Sequence, residues 1–307
     1  MNFTQHTYNA PTTTLVVLFV FFLIIQKYIM VKIVIATMVK DEDDIIRPWI
    51  EYYGKLFGYN NLYIIDNFSS DKTFAICNEY LDKGIHLKQE RNYKHKGTFM
   101  TKLKNKVKCD IFIPIDIDEF MVLYDKDNNI ITCDNVVMYL NTLINENPKN
   151  PLFKTEYISP IRTNNNSGCI LEQFTYGNKG NLMNGHAKTF IQNRIKNRIL
   201  IDHGNHISPL WNPKKNYILT DLYLVHYHRR GDIQHKKKVK NNVLGLGYKD
   251  DLKTLKELYK REGLPGGHHV RMYIKMLENP SGSNEPSIQK PPSNSIDLSP
   301  IMFFIKK

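Results

Sequence analysis

From Val31 onward, apolar and polar positions alternate in blocks that can be read directly as secondary structure. Residues 31–39 form a β-branched run that stops at Lys40-Asp41-Glu42. Ile45, Ile46, Trp49, Ile50, Tyr53, Leu56 and Phe57 then recur at helical spacing, with acids ahead of them, Pro48 in the first turn and Gly58 past the end. Residues 61–65 read as a second strand, stopping at Asp66-Asn67-Phe68-Ser69-Ser70-Asp71, and Phe74, Cys77 and Leu81 mark a second helix closed by Gly84. A short third strand at 85–88 precedes a third helix carried by Phe99, Leu103 and Val107. A fourth strand, 111–115, runs into Asp116-Ile117-Asp118-Glu119-Phe120. Strand–helix alternation of this kind builds a mostly parallel sheet flanked by helices, joined by right-handed crossovers. The fold class is therefore α/β, with Asp41, Asp66 and Asp116 at successive strand ends on one edge.

Beyond residue 132 the pattern loosens. Val136, Val137, Leu140 and Leu143 predict a helix, and residues 145–151 are turn-rich. Strand-like runs follow at 201–206 and 222–228. In a strand, Leu224, His226 and His228 lie on one face. A basic segment at 229–240 precedes two helices at 250–262 and 269–278; residues 280–299, rich in Pro, Ser and Asn, read as disordered, with a short apolar tail after them. The resulting division is 1–30 as an N-terminal extension, 31–278 as one catalytic-size domain with halves 31–125 and 126–278, and 279–307 as a low-complexity tail.

The extension contains an unbroken apolar run of eleven residues from Leu15 to Ile25. A spanning helix needs about 20 apolar residues, so membrane association through this run requires its neighbours. Lys27 and Lys32 would then favour a cytoplasmic C-terminal side. A secretory signal would need basic residues before the run and small ones after it, and neither is there.

Composition narrows the partners. A formal net charge of +12 over 307 residues points to anionic ligands, such as nucleic acid, membrane phosphate or a sugar nucleotide. Outside 229–240 the basic residues are scattered, without zinc-finger, KH or RNP signatures, so no nucleic-acid partner is expected. The four cysteines, Cys77, Cys109, Cys133 and Cys169, lack CxxC spacing and read as thiols of a reducing compartment, cytoplasmic or membrane-associated.

The candidate chemistry centres on Asp116, Asp118 and Glu119. Two like charges about 4 Å apart cost roughly 4 kcal/mol at an effective dielectric near 20, and a divalent cation removes that repulsion. A pair of acids at a strand end also occurs simply as a cap or a solvated terminus. The strand in front and the convergence with Asp41 and Asp66 are what favour a metal site here.

These residues resemble the family two type glycosyltransferases of GT-A (Rossmann-like) fold, close to the family ninety-two branch. The resemblance rests on Lys40-Asp41-Glu42, on Asp66, Asn67, Ser69 and Asp71, and on Asp116, Asp118, Glu119 and Phe120. It continues through Leu171-Glu172-Gln173-Phe174, Lys188, His203 and His226-Tyr227-His228-Arg229, covering about residues 31–240. Departures are Asp41 in place of asparagine, Arg230 in place of serine, and a missing tryptophan and Phe-Gly before Gly168.

The resemblance implies transfer of a sugar from a nucleotide-sugar donor, UDP-linked, to an acceptor hydroxyl on a glycan, protein or lipid, with inversion. It implies Mn²⁺ or Mg²⁺ on Asp118, with Asp116 on the metal or ribose and His226 or His228 as an imidazole ligand. It also implies Thr37, Lys40, Glu42, Asp66, Asn67, Ser69, Asp71 and Lys188 around the nucleotide, and Glu172 or Asp202 as the base. Lys188, Arg229, Arg230 and the run 236–238 are candidates to fold over the diphosphate as a lid; read more plainly, Ser69, Ser70 and Asp71 cap the following helix, and the run 236–238 is a solvated face or meets anionic lipid or nucleic acid.

Other classes fit less well. A nucleotidyltransferase normally has a glycine-rich phosphate loop after the first strand, and residues 36–42 contain no glycine. A haloacid-dehalogenase phosphatase needs Thr or Val where Phe120 stands. A sugar-nucleotide binder without turnover is disfavoured by the intact Asp116 and Asp118.

Overall fold

The computed structural model describes residues 31–307 except 167, 180–187, 197, 207–216, 265 and 283–285. The 15–25 run lies outside the described residues, among which no helix is long and apolar enough to cross a membrane.

The N-terminal half follows the alternation. Strands β1 (Ile33–Val39), β2 (Leu62–Asp66), β3 (His86–Gln89) and β4 (Ile111–Pro114) are parallel neighbours in the order β3-β2-β1-β4. Every residue of β1 is buried, as expected of a central strand covered on both faces. Helices α1 (Ile46–Phe57) and α2 (Thr73–Asn78) cross over between these strands, as does α3 (Lys96–Lys106). Gly58, at φ +89°, ends α1 in a conformation that side chains resist.

The acids do not ride on a strand. β4 stops at Pro114, Ile117 and Asp118 form a tight turn, and Glu119 opens β5 (Glu119–Asp125). α1 fixes that entry: Tyr53 donates its hydroxyl to the Glu119 carbonyl at 3.0 Å and accepts from the Met121 amide at 2.8 Å, while Tyr52 donates to the Met121 carbonyl at 2.5 Å.

The C-terminal half completes a mixed sheet. After β6 (Ile130–Thr132) and α4 (Val136–Glu146) come β7 (Leu152–Ile161), β8 (Tyr176–Lys179), β9 (Thr189–Gln192) and β10 (Ile218–His226). The sheet runs β3-β2-β1-β4-β9-β7-β10-β5-β6, with β8 beside β7. β10 lies antiparallel to β5 with His226 opposite Glu119, so pairing register alone brings the histidine to the acidic turn. Three helices, α5 (Asp232–Gly245), α6 (Leu252–Tyr259) and α7 (Gly267–Glu278), pack around their own core of Val239, Val243, Leu255, Val270, Tyr273 and Ile274.

Two expectations are corrected. Residues 201–206 form a turn, since Asp202 accepts the His206 amide at 2.8 Å and leaves no extended run. The tail is ordered in its last part: β11 (Ile296–Asp297) pairs with β8, and α8 (Ser299–Lys306) packs on α1, with Phe304 against Tyr52 and Ile301 fully buried. The apolar spacing of Ile296, Leu298, Ile301 and Phe304 outweighs the low-complexity stretch before it, because each buried side chain contributes about 1.5–3 kcal/mol.

Candidate active site

A cleft of about 500 Å³ opens at the carboxyl ends of β1 and β4. It is lined by the β1 loop (Lys40, Glu42), the acidic turn (Asp116, Asp118), the 203–206 turn and β10 (His226) with His228 just beyond it. α5 (Lys238) and the start of α7 (His268, His269) close it.

The two aspartates have different surroundings. Asp116 is gripped by two ammoniums: Lys188 donates to Oδ2 at 2.6 Å and Lys96 to Oδ1, while its amide is held by Glu119 Oε2 at 3.0 Å. Burial opposes ionisation, but Lys188 and Lys96 outweigh it and hold this carboxyl far below the usual carboxylate range. Lys188 also donates to the Gly204 carbonyl at 2.6 Å. Asp116 is therefore a fastening between lysines, and the expectation that it ligates metal is not supported by its contacts.

Asp118 is almost fully buried, and among the described residues only its Oδ2 is matched. That oxygen faces the Lys238 ammonium, with His226 Nε2 at 3.4 Å and Arg230 Nη1 at 3.6 Å. Burial raises its pKa, and Lys238, His226 and Arg230 together reverse that shift and hold it well below normal. Oδ1 is buried without a hydrogen-bond partner among the described residues, and so is Nδ1 of His228. An unmatched buried polar atom costs about 1–3 kcal/mol, so its persistence beside a second one calls for a ligand. Asp118, His226 and His228 each offer a ligand atom, and these lie within 4.8 Å of one another. One carboxylate and two imidazoles suit Mn²⁺, with Mg²⁺ favouring a larger share of oxygen ligands. Lys238, followed by burial, keeps His228 well below its ordinary pKa, in the neutral form a metal requires.

Around this pair the β1 loop is locked. Asp41 adopts φ +55°, which Asp and Asn tolerate better than other side chains, and this accounts physically for Asp standing in for Asn. Its Oδ1 accepts the Ser70 amide at 2.5 Å and its Oδ2 accepts from Asn241 at 2.9 Å. Arg230, fully buried, bridges Glu42 and Asp44, with Nε at 2.8 Å from Asp44 Oδ2. Burial pushes Glu42 above its ordinary pKa despite Arg230 and Lys238.

The remaining expected residues sort by position. Lys40, Glu42, Asp116 and Lys188 line the cleft, as do Asp118, His226 and His228. Thr37, Asp66, Asn67, Ser69 and Asp71 do not line it and build the loops behind. Thr37 is fully buried in β1, and Asp66 accepts the Ser69 amide and Gln89 Nε2 at 2.9 Å. Asn67 donates to the Glu90 carbonyl, Ser69 Oγ accepts the Asp41 amide, and Asp71 accepts the Thr73 amide at the start of α2. Glu172 is drawn away to Lys306 at 2.9 Å, and Asp202 is spent on the 203–206 turn; neither lines the cleft.

The basic segment is a helix rather than a solvated face. Lys237 pairs with Asp71, Lys238 with Asp118 and Lys240 with Asp250, and Gln234 donates to the Asp41 carbonyl at 3.0 Å.

Sequence reading missed Lys96, Lys238 as the partner of Asp118, and the imidazoles of His268 and His269. Lys96 left one trace: a Cβ on the next residue, Gly97, would sit 2.4 Å from the Ile201 carbonyl oxygen, so only glycine lets α3 approach closely enough to place this lysine.

No family model matches the chain, and none of the curated proteins does. Solved structures similar to it include S. aureus TarS 1–349 in complex with UDP, at 10% identity and a TM-score of 0.42 over 80% of this chain and 70% of that one. Another is glucosyl-3-phosphoglycerate synthase from Mycobacterium tuberculosis with Mn²⁺, UDP and glucosyl-3-phosphoglycerate, at 12% identity and a TM-score of 0.37 over 72% of this chain and 82% of that one.

Proposed function

We propose that this chain is a divalent-metal-dependent glycosyltransferase of GT-A type that takes its sugar from a UDP-sugar and passes it, with inversion, to an acceptor hydroxyl. The observation that carries the reading is the half-matched Asp118 beside His226 and His228 at the strand ends, inside a cleft otherwise rich in cations. Asp118, His226 and His228 would hold the cation, which when bound supplies charge neutralisation at a leaving diphosphate. Lys188, kept charged by Asp116, and Lys96 beside the same carboxylate add positive charge on the same wall.

The loops tied together by Asp41, Asp66 and Asp71 hold the nucleotide side rigid, so little ordering cost falls on binding. With Glu172 and Asp202 outside the cleft, removal of the acceptor proton falls to the wall imidazoles. His203, on the cleft wall and kept neutral chiefly by burial, is placed for this, whereas burial pushes His269 down to about 4 and makes it the weaker base.

A hydrolysis panel of UDP-, GDP- and TDP-sugars with Mn²⁺ or with chelator tests this. The expected result is release of UDP from one UDP-sugar in Mn²⁺ and none in chelator. Release that ignores the chelator, or no nucleotide release across the panel, overturns the reading.

A further inference from the structure

We propose that Lys238 is a built-in counter-cation that neutralises Asp118 until a divalent ion displaces it, and that its freed ammonium then moves to the diphosphate of the incoming nucleotide. The inference rests on the glycosyltransferase reading and concerns how its two ligands become coupled.

Asp118 Oδ2 already faces one full positive charge from Lys238, with Arg230 Nη1 3.6 Å from the same oxygen. A cation held by the Asp118 carboxylate, His226 and His228 would lie within a few ångströms of that ammonium, since a carboxylate oxygen and one nitrogen of each imidazole are within 4.8 Å of one another and Lys238 faces the same carboxylate. Like charges that close repel strongly away from bulk water. The mobile member of the pair is the lysine.

Its helix is anchored on both sides of it: Lys237 to Asp71, Asn241 to Asp41, and Gln234 to Glu42 at 2.9 Å. Movement is therefore confined to the four-carbon side chain, which lines the open cleft and keeps 18% of its surface exposed. The neighbouring acids offer it no second place. Glu42 is taken by Arg230 and Gln234, and Asp116 by Lys96 and Lys188. A metal arriving alone leaves the ammonium without a counter-charge, whereas a metal arriving with a diphosphate leaves both matched. The consequence is cooperative binding of metal and nucleotide, and such coupling is reciprocal, typically about 5–150-fold.

The test is Mn²⁺ affinity read from the electron paramagnetic resonance of the free ion, with and without UDP and corrected for the UDP–Mn²⁺ complex in buffer, independent of turnover. Lys238→Met is expected to bind Mn²⁺ alone about tenfold or more tighter than wild type and to lose most of the enhancement by UDP. Lys238→Gln, which keeps a hydrogen-bond donor for Oδ2, is expected to change in the same direction. Lys238→Arg, which keeps the charge, is expected to behave as wild type. Equal Mn²⁺ affinity in wild type and both neutral variants, with Asp118→Asn still abolishing binding, overturns the inference and leaves the metal reading standing. No Mn²⁺ binding by any of them overturns both.

Discussion

Asp118→Asn is expected to lower metal-dependent hydrolysis of the UDP-sugar by about 10²–10³-fold or more, the loss seen when one preorganised charge-stabilising group is removed. The asparagine keeps the shape of the turn and can still face Lys238, so the fold survives at a cost of about 1–3 kcal/mol for the buried donors left less well matched. Asp116→Asn is the informative contrast. It strips Lys96 and Lys188 of their shared carboxylate, so it should cost stability while leaving Mn²⁺ affinity within about threefold of wild type, since Asp116 is not among the grouped ligands. Equal loss of metal affinity in the two variants, measured by titration of the free ion, would show that both acids ligate.

Arg230→Met should give the largest loss of stability of any single change near the cleft. Removing the guanidinium leaves Glu42 buried with Gln234 as the remaining donor to its carboxylate, and takes from Asp44 the donors to both of its oxygens. Breaking a buried pair from one side costs about 3–5 kcal/mol. At roughly 2–4 °C per kcal/mol for domains of 150–250 residues, the melting temperature should fall by on the order of 10 °C. Trp49, fully buried in α1 next to this loop, gives the fluorescence signal for chemical denaturation. The double change Arg230→Met with Glu42→Gln should recover about 1–3 kcal/mol, because the stranded charge is gone. A double variant no more stable than the single one would mean the pair is not what holds the loop.

The contrast between these residues shows what was legible beforehand. β1, β2 and β4 were visible because each is a short apolar run, and α1 because it carries an apolar stripe, patterns set by local geometry. Asp118, His226 and His228 could be singled out one at a time. That they meet depends on the antiparallel register placing His226 opposite Glu119, a long-range fact that no local pattern encodes.

Lys96, and the pairing of Lys238 with Asp118, were hidden for a related reason. In a chain with 42 Lys and Arg residues, a buried lysine looks like any surface one until its acid is found in space. Arg230, which departs from the serine of the resembled family, makes sense only beside Glu42 and Asp44. Glu172, a candidate base from the sequence, instead pairs with Lys306, which folds back from the tail read as low in complexity.

Everything turns on whether a cation sits where Asp118 Oδ1 lacks a partner. Anomalous diffraction at the manganese edge, from crystals grown with UDP and Mn²⁺, measures that directly. The account predicts a single strong peak bonded to Asp118, His226 and His228 and touching the diphosphate. Bound UDP with no peak at those three residues, or with a peak held elsewhere, would contradict it.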